Sequence, residues 1–423
     1  MKFFIKLISL FLSTLLFILN SQVLSQSIEP VNKKIIHIEK NILPSKNEYL
    51  LFISYKIPFS NLVFVKKEEK FFSGLEIEFN LFDKDKIVNR KTASKNVFVD
   101  NYNDTKSNDN FLEGFTFFNI DKSNYTILPI LHLHNTNSEV ILDSIKINLN
   151  DFIKDDISAP IIIEETKQKC SDSYFFKLTN YGNIIPFASS DYLLLIPVRD
   201  TSLKSINIKI EQKGKILFER EATKFYENNL SMNECENIIG ISESEGDFPI
   251  RYFVIDNFNH KLHEGSAKLI ITGSNKKAEF DLNVVWINKP KSLINIEFAV
   301  DILNVIEDKN VVTKILQNSK SNLYDALTDY WDKKFPDRKY QFNELMNEFY
   351  RRVDYANENF STLVYKSGAK TDRGKIYIKY GHPDDILRNY SDNKVIEIWI
   401  YKNINKQFTF VDNSGLGNYM LEE

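Results

Sequence analysis

Six histidines and two cysteines are the side chains of this chain best suited to metal or nucleophilic chemistry. His132 and His134 stand two apart, on one face of an expected strand, where a pair of imidazoles can begin a metal site. Without further ligands nearby we read them as a polar strand face and assign no metal. His260 and His263 flank a turn and are read the same way. His382 adjoins Asp384 and Asp385, a pairing suited to a general base. No nucleophile accompanies it, so no catalytic residue is assigned. The chain has no Gly-x-Ser-x-Gly elbow and no His-Glu-x-x-His helix. Gly273-Ser274-Asn275-Lys276-Lys277 lacks the second glycine and the Lys-Ser/Thr pair of a phosphate loop, so no cofactor is expected either. The polar run 100–110 lacks the central Gly and terminal Glu of an EF-hand loop and reads as a hairpin tip. Neither cysteine lies in a Cys-x-x-Cys motif. Cys170 and Cys235 allow a single pairing and are a candidate disulfide, permitted if the chain is exported.

The elements that must position these residues follow from composition and periodicity. The chain has 423 residues, 43% hydrophobic and 26% charged, enough for several domains with a real core. A formal net charge of −3 argues against a nucleic-acid partner. Its 33 Phe and 20 Tyr favour strands over helices. At the N-terminus Lys2 and Lys6 precede an apolar run at 7–19, shorter than the ~20 residues of a membrane span. Val23-Leu24-Ser25 then offers compact residues for cleavage after Ser25. We therefore expect a Sec-type signal peptide at 1–25, a periplasmic or outer-membrane-associated location, and no transmembrane segment after cleavage.

From about 31 to 288 the hydrophobic period is two. Leu75-Glu76-Ile77-Glu78-Phe79-Asn80-Leu81, Ile145-Lys146-Ile147-Asn148-Leu149 and Ile206-Asn207-Ile208-Lys209-Ile210 alternate strictly, as strands with one buried face do. Polar turns between them give the spacing of antiparallel sandwiches. A polar break near 150–160 divides the stretch into a first β-sandwich domain at 26–157 and a second at 158–290. The segments 75–90 and 206–220 echo each other as strand, charged turn, strand. Past Asn288-Lys289-Pro290-Lys291 the period becomes helical. Leu323, Ala326, Leu327, Tyr330 and Trp331 share one helix face; Leu345, Met346, Phe349, Val353, Ala356 and Phe360 share another. After Gly374 we expect strands at 375–380, 395–401 and 408–411. The fold class is mainly β with a C-terminal α+β domain at 291–423, helices first and a small sheet after.

That last third carries a long ordered string. Glu348-Phe349-Tyr350-Arg351-Arg352-Val353-Asp354-Tyr355-Ala356-Asn357 leads into Gly368-Ala369-Lys370-Thr371-Asp372-Arg373-Gly374-Lys375-Ile376-Tyr377-Ile378-Lys379-Tyr380-Gly381-His382-Pro383-Asp384, with Glu397-Ile398-Trp399-Ile400-Tyr401 beyond. Over about residues 295–423 it closely resembles the GWxTD domain, a family of exported bacterial proteins. The family's tryptophan is Ala369 here. The resemblance implies an envelope setting and no established enzyme activity. Its matching positions in this chain are Arg352, Asn357, Gly368, Thr371, Asp372, Arg373, Gly374, Tyr377, Gly381, Pro383 and Trp399. Read physically, Gly368 and Gly374 bracket a loop where φ can be positive. Thr371 and Asp372 can bond nearby amides, and Arg373 can meet a carboxylate. Gly381-His382-Pro383-Asp384 reads as a turn ending a strand. We expect Arg352 and Asn357 to tie the long helix to the Thr371-Asp372 loop, a structural lock or a binding surface.

For function we expect a non-enzymatic envelope adaptor, or an assembly or secretion component, that binds other envelope proteins. The alternative is a glycan or cell-wall binding protein, with or without hydrolysis, its aromatics stacking on sugars and two carboxylates acting as acid and base.

Overall fold

The computed structural model of the chain describes residues 36–422, apart from 46–47, 109, 122–123, 138, 166–174, 180–183, 236–237, 245–249, 318–322, 363–364 and 392–393. The expected signal peptide at 1–25 and Cys170 lie outside the described residues. The chain divides into a unit Met1–His37, of which only the last two residues are described, and a body Ile38–Glu423. Among the described residues no helix is long and apolar enough to cross a membrane.

The alternation read from the sequence builds the β part. Leu75, Ile77 and Phe79 on the strand Lys70–Asp83 are fully buried while Glu76 between them is exposed. This strand pairs antiparallel with Lys86–Val99 and Tyr125–Leu133 in a six-stranded sheet. Opposite lies a three-stranded sheet in the order His37–Pro44, Tyr49–Pro58, Phe111–Ile120. Tyr49–Pro58 is buried on both faces. Its Tyr55 ring lies 6.2 Å from Phe79, and its Phe52 joins Ile161, Leu195 and Tyr252 of the second half in one core. A strand sandwiched this way must be apolar on both sides, and its Leu50-Leu51-Phe52-Ile53 is.

In the second half, Leu193–Val198 pairs with Ile161–Glu165 on one edge and Ile250–Ile255 on the other. With Phe175–Leu178, Ile238–Ser244 and Phe225–Cys235 these strands form a closed ring of six. The polar break belongs to this sheet: Asp155 and Asp156 take φ of 51° and 65° in the tight turn between Ile153–Lys154 and Ile157–Ser158, and Ile157 pairs with Val198. Against the ring packs a five-stranded sheet in the order Ile184–Pro186, Lys276–Val285, Gly265–Gly273, Ile206–Gln212, Lys215–Ala222, its first pair parallel. The two echoing segments are both hairpins with two-residue turns, and each bulges by one residue in its second strand, at Leu217 and at Val88.

The C-terminal part is helical first. Leu323–Lys334 buries Leu323, Leu327 and Trp331, and the long helix Glu344–Asn359 buries Met346, Phe349, Tyr350, Val353 and Ala356. Asn343 caps the long helix by accepting the Met346 N–H at 3.0 Å. Leu345, expected on the buried face, is instead exposed, and Tyr350 takes its place with its hydroxyl donated to the Ala299 carbonyl at 2.7 Å. The expected strand at 375–380 is a helix, Asp372–Tyr380. Thr371 accepts the Gly374 N–H at 3.1 Å as its N-cap, and Gly374, Tyr377 and Ile378 are buried at helical spacing. A four-stranded meander follows: Asp385–Ser391, Lys394–Tyr401, Lys406–Asp412 and Met420–Glu422. This part docks on the second β half through three edge-to-face rings, Phe187, Trp286 and Phe342, with centroids 5.2–6.1 Å apart. Lys289 to Glu264 at 2.8 Å and Lys339 to Asp191 at 2.6 Å flank them.

Candidate functional site

The motif residues gather where the long helix meets the helix Asp372–Tyr380 and the meander. Gly368 and Gly374 do not take positive φ, contrary to expectation. They are glycines because backbone comes too close for a side chain. A Cβ on Gly368 would stand 2.1 Å from the Ala356 carbonyl oxygen, and one on Gly374 2.0 Å from that of Gly368. Gly381 does need its glycine conformation, at φ 82°, and ends the helix rather than a strand.

Asn357 bonds residues upstream of the Thr371-Asp372 pair. Its Oδ1 accepts the Ala369 N–H at 3.1 Å and the Ser367 hydroxyl at 2.8 Å. Thr371 completes the corner, donating its hydroxyl to the Gly368 carbonyl at 2.7 Å. Arg352 does not reach the Thr371-Asp372 loop. It lies one and a half turns before Asn357, so it meets the far end of the motif helix. There its guanidinium donates to the Ile378 carbonyl at 3.4 Å, packs against Gly381 and pairs with Glu348 at 2.7 Å. The long helix therefore clamps both ends of Asp372–Tyr380.

Asp372 bonds Lys375 at 3.0 Å and accepts the Leu421 N–H at 3.1 Å, pinning the last strand. Arg373 lies between the rings of Phe360 and Tyr419 and approaches Glu397 at 3.5 Å. Glu397 is 1% exposed, and its oxygens also accept Arg388 Nε and Trp399 Nε1, each at 2.7 Å. A buried carboxylate is tolerated only with such a set of charged and polar donors. Trp399 is itself buried among Phe360 and Phe410. Tyr377 stacks flat on Tyr355, centroids 4.3 Å apart at 14°, and burial pushes its phenol up to about 12. Pro383 is buried beside Gly381, whose carbonyl accepts the Tyr401 hydroxyl at 2.8 Å. Ala369 is wholly buried in the same core.

Sequence reasoning missed Glu397, Ser367 and Tyr355. For Glu397 a signal existed: in a period-two strand it shares the face of Trp399 and Tyr401, so its carboxylate had to be buried with partners.

The histidines each sit in a local contact. His382 sits 2.7 Å from its neighbouring Pro383 carbonyl, while Asp384 accepts the Lys402 N–H and Asp385 pairs with the Lys402 ammonium, each at 2.6 Å. His132 faces Glu139 at 3.9 Å and His134 packs on Phe72. Among the described residues no group of three or more His, Cys, Asp or Glu is placed to hold a metal. His260 bonds Asp191 at 2.8 Å, and burial with the nearby Lys213 charge holds His263 below its usual range. The hydrogen bond from Lys339, reinforced by His260, lowers Asp191 to about 2. Cys235 ends its strand and is disulfide-bonded.

Residues 268–422 match the family model of the GWxTD domain. The chain carries that domain as its C-terminal third, with Ala369 in the position of the motif's tryptophan. No curated protein matches the chain. Solved structures that resemble it include the D1–D4 ectodomain fragment of ICAM-5 (6% identity, 58% of this chain and 53% of that one, TM-score 0.14). The titin Ig tandem A164-A165 matches at 11% identity, 59% and 95% coverage and TM-score 0.13. Domains 4 and 5 of the S-layer protein SbsC match at 10%, 59%, 97% and 0.13. The chain spans about half the length of the ICAM-5 fragment.

Proposed function

We propose that the chain is an exported, non-enzymatic envelope protein, an adaptor or an assembly or secretion component that binds another envelope protein through its C-terminal sheet. The segment 1–25 has the charge and apolar run of an export signal. The motif supports a structural lock: Asn357, Thr371, Asp372 and Arg373 spend their polar groups on the domain itself.

One observation carries the proposal. The strand Asp385–Ser391 is the open edge of its sheet and exposes Ile386, Leu387 and Tyr390. Proteins guard such edges with charge because free N–H and C=O groups recruit other strands. The edge strand Lys86–Val99 is guarded in this way by Lys86 and Lys91, while its Arg90 and Lys95 pair with Glu78 and Glu234. At Asp385–Ser391 the charges are already paired within the domain, Asp385 with Lys402 and Arg388 with Glu397. What the edge offers is backbone and apolar side chains, the means by which a partner strand is added.

The test is photo-crosslinking in cells from a reactive group placed at Tyr390 in the tagged, full-length protein, with envelope fractionation and mass spectrometry. We expect one discrete envelope partner. Leu387→Lys should cut its yield about fivefold or more, roughly the 1 kcal/mol that a lost edge contact represents, without lowering the melting temperature. Diffuse crosslinks, or a yield indifferent to Leu387→Lys, would remove the proposal and bring glycan binding assays forward.

A further inference from the structure

Between the second β half and the C-terminal helices lies a cleft of about 670 Å³, the size of a drug-like or short peptide site. One wall is the helix Leu323–Lys334, which presents Asp325 and Asp329; the other is the hairpin Ile206–Ala222, which presents Lys213 and Lys215. Leu217 and Met346 supply apolar lining. Other charges there are internally matched: Glu264 with Lys289 at 2.8 Å and Asp332 with Arg338 at 2.5 Å. These pairs and the Phe187, Trp286 and Phe342 rings fix the two walls. Lys213, Lys215, Asp325 and Asp329 make no ion pair among the described residues. These four side chains are exposed and hydrated, and a ligand that carries both signs can engage both walls at once. Among the described residues the Lys215–Ala222 strand is also an edge of its sheet.

We propose that this cleft binds a short extended peptide. Its acidic end meets Lys213 and Lys215, its basic end meets Asp325 and Asp329, and an apolar side chain between them covers Leu217 and Met346. The edge strand Lys215–Ala222 pairs with the peptide backbone. The charge pattern selects the ligand: a peptide of one sign would meet like charges on one wall, which is how complementary surfaces reject wrong partners.

The probe is a dye-labelled hexapeptide of two lysines, two leucines and two glutamates in that order, titrated against the full chain by fluorescence anisotropy. We expect saturable binding below about 1 mM, the weak end of the affinity scale. Asp325→Asn with Asp329→Asn should weaken it about tenfold, as should Lys213→Gln with Lys215→Gln, about 1.4 kcal/mol for each pair of charges. A peptide with glutamines in all four charged positions should bind about tenfold more weakly, and added salt should erase the difference. All four residues are at the surface, and unchanged melting temperatures confirm that the variants fold. No saturable binding by that limit, or binding that both double variants leave intact, overturns the proposal. Crosslinking from Tyr390 should be unaffected by these variants, so failure here and failure of the adaptor are separate results.

Discussion

Glu397 shows how much one residue fixes in this domain. Its carboxylate is almost fully buried and receives two guanidiniums and an indole. The three donors are not equal. Arg373 is largely buried between two rings, whereas Arg388 is half exposed. Removing the acceptor leaves the Arg373 charge buried and unpaired, so Glu397→Ala should cost about 3–5 kcal/mol. Arg388→Ala removes a half-exposed partner and should cost about 1 kcal/mol or less. Denaturant midpoints of the two variants check this; equal losses would mean that Arg373 finds another partner. The glycines rank by the same local logic. Gly374→Ala sets a methyl group against the Gly368 carbonyl, and overpacking of that kind typically costs about 1–3 kcal/mol. The sequence made these positions visible as a motif, but not their reason. A glycine needed for close approach and one needed for positive φ look alike until the neighbouring backbone is known.

At the scale of elements, period two made the strands legible because one buried face imposes it directly. It misled at 375–380. Ile376, Ile378 and Tyr380 alternate with Lys375, Tyr377 and Lys379 in the manner of a strand, yet the segment is helical. The deciding signal was at the start: Thr371 followed by Asp372 is an N-cap and an acidic first turn. Thr371→Ala should therefore cost about 1–2 kcal/mol, the upper part of the capping range, since this threonine also donates to Gly368. Thr371→Ser keeps both bonds and should restore most of the midpoint; a serine variant as weak as the alanine one would mean that the methyl group, not the cap, matters. The closed ring of the second half was not legible at all. Leu193-Leu194-Leu195-Ile196-Pro197-Val198 reads as an apolar run, but nothing local says that both its edges are paired. Pro197 would argue against a central strand. It is accommodated because on one edge Leu193–Leu195 pair with 161–163 and Val198 with Ile157, and Pro197 falls in the gap between.

At the scale of the whole molecule, two kinds of contact hold the C-terminal domain on the second β half, and they should fail differently. Phe187, Trp286 and Phe342 bring aromatic surface from both sides into the core that also contains Trp331 and Trp399. The Asp191, Lys339 and His260 cluster sits beside it at the surface. Asp191 has its carboxyl lowered to about 2, chiefly by the Lys339 hydrogen bond. A depressed carboxylate stabilises fully above its unfolded value near 4 and loses that contribution as pH falls towards 2. The carboxylate is half exposed, so the contribution is small and screened by salt. Asp191→Asn should leave a single unfolding transition at neutral pH and remove only part of the acid-induced loss between about pH 4 and 2. Trp286→Ala removes a large buried ring, at about 3–5 kcal/mol. That loss falls on the docking surface, so the calorimetric transition should split in two, the C-terminal domain melting apart from the β part. A single transition, shifted but undivided, would mean that the motif core and the second β half unfold together for reasons beyond these rings, and that the cleft between them is held by more than its aromatic hinge.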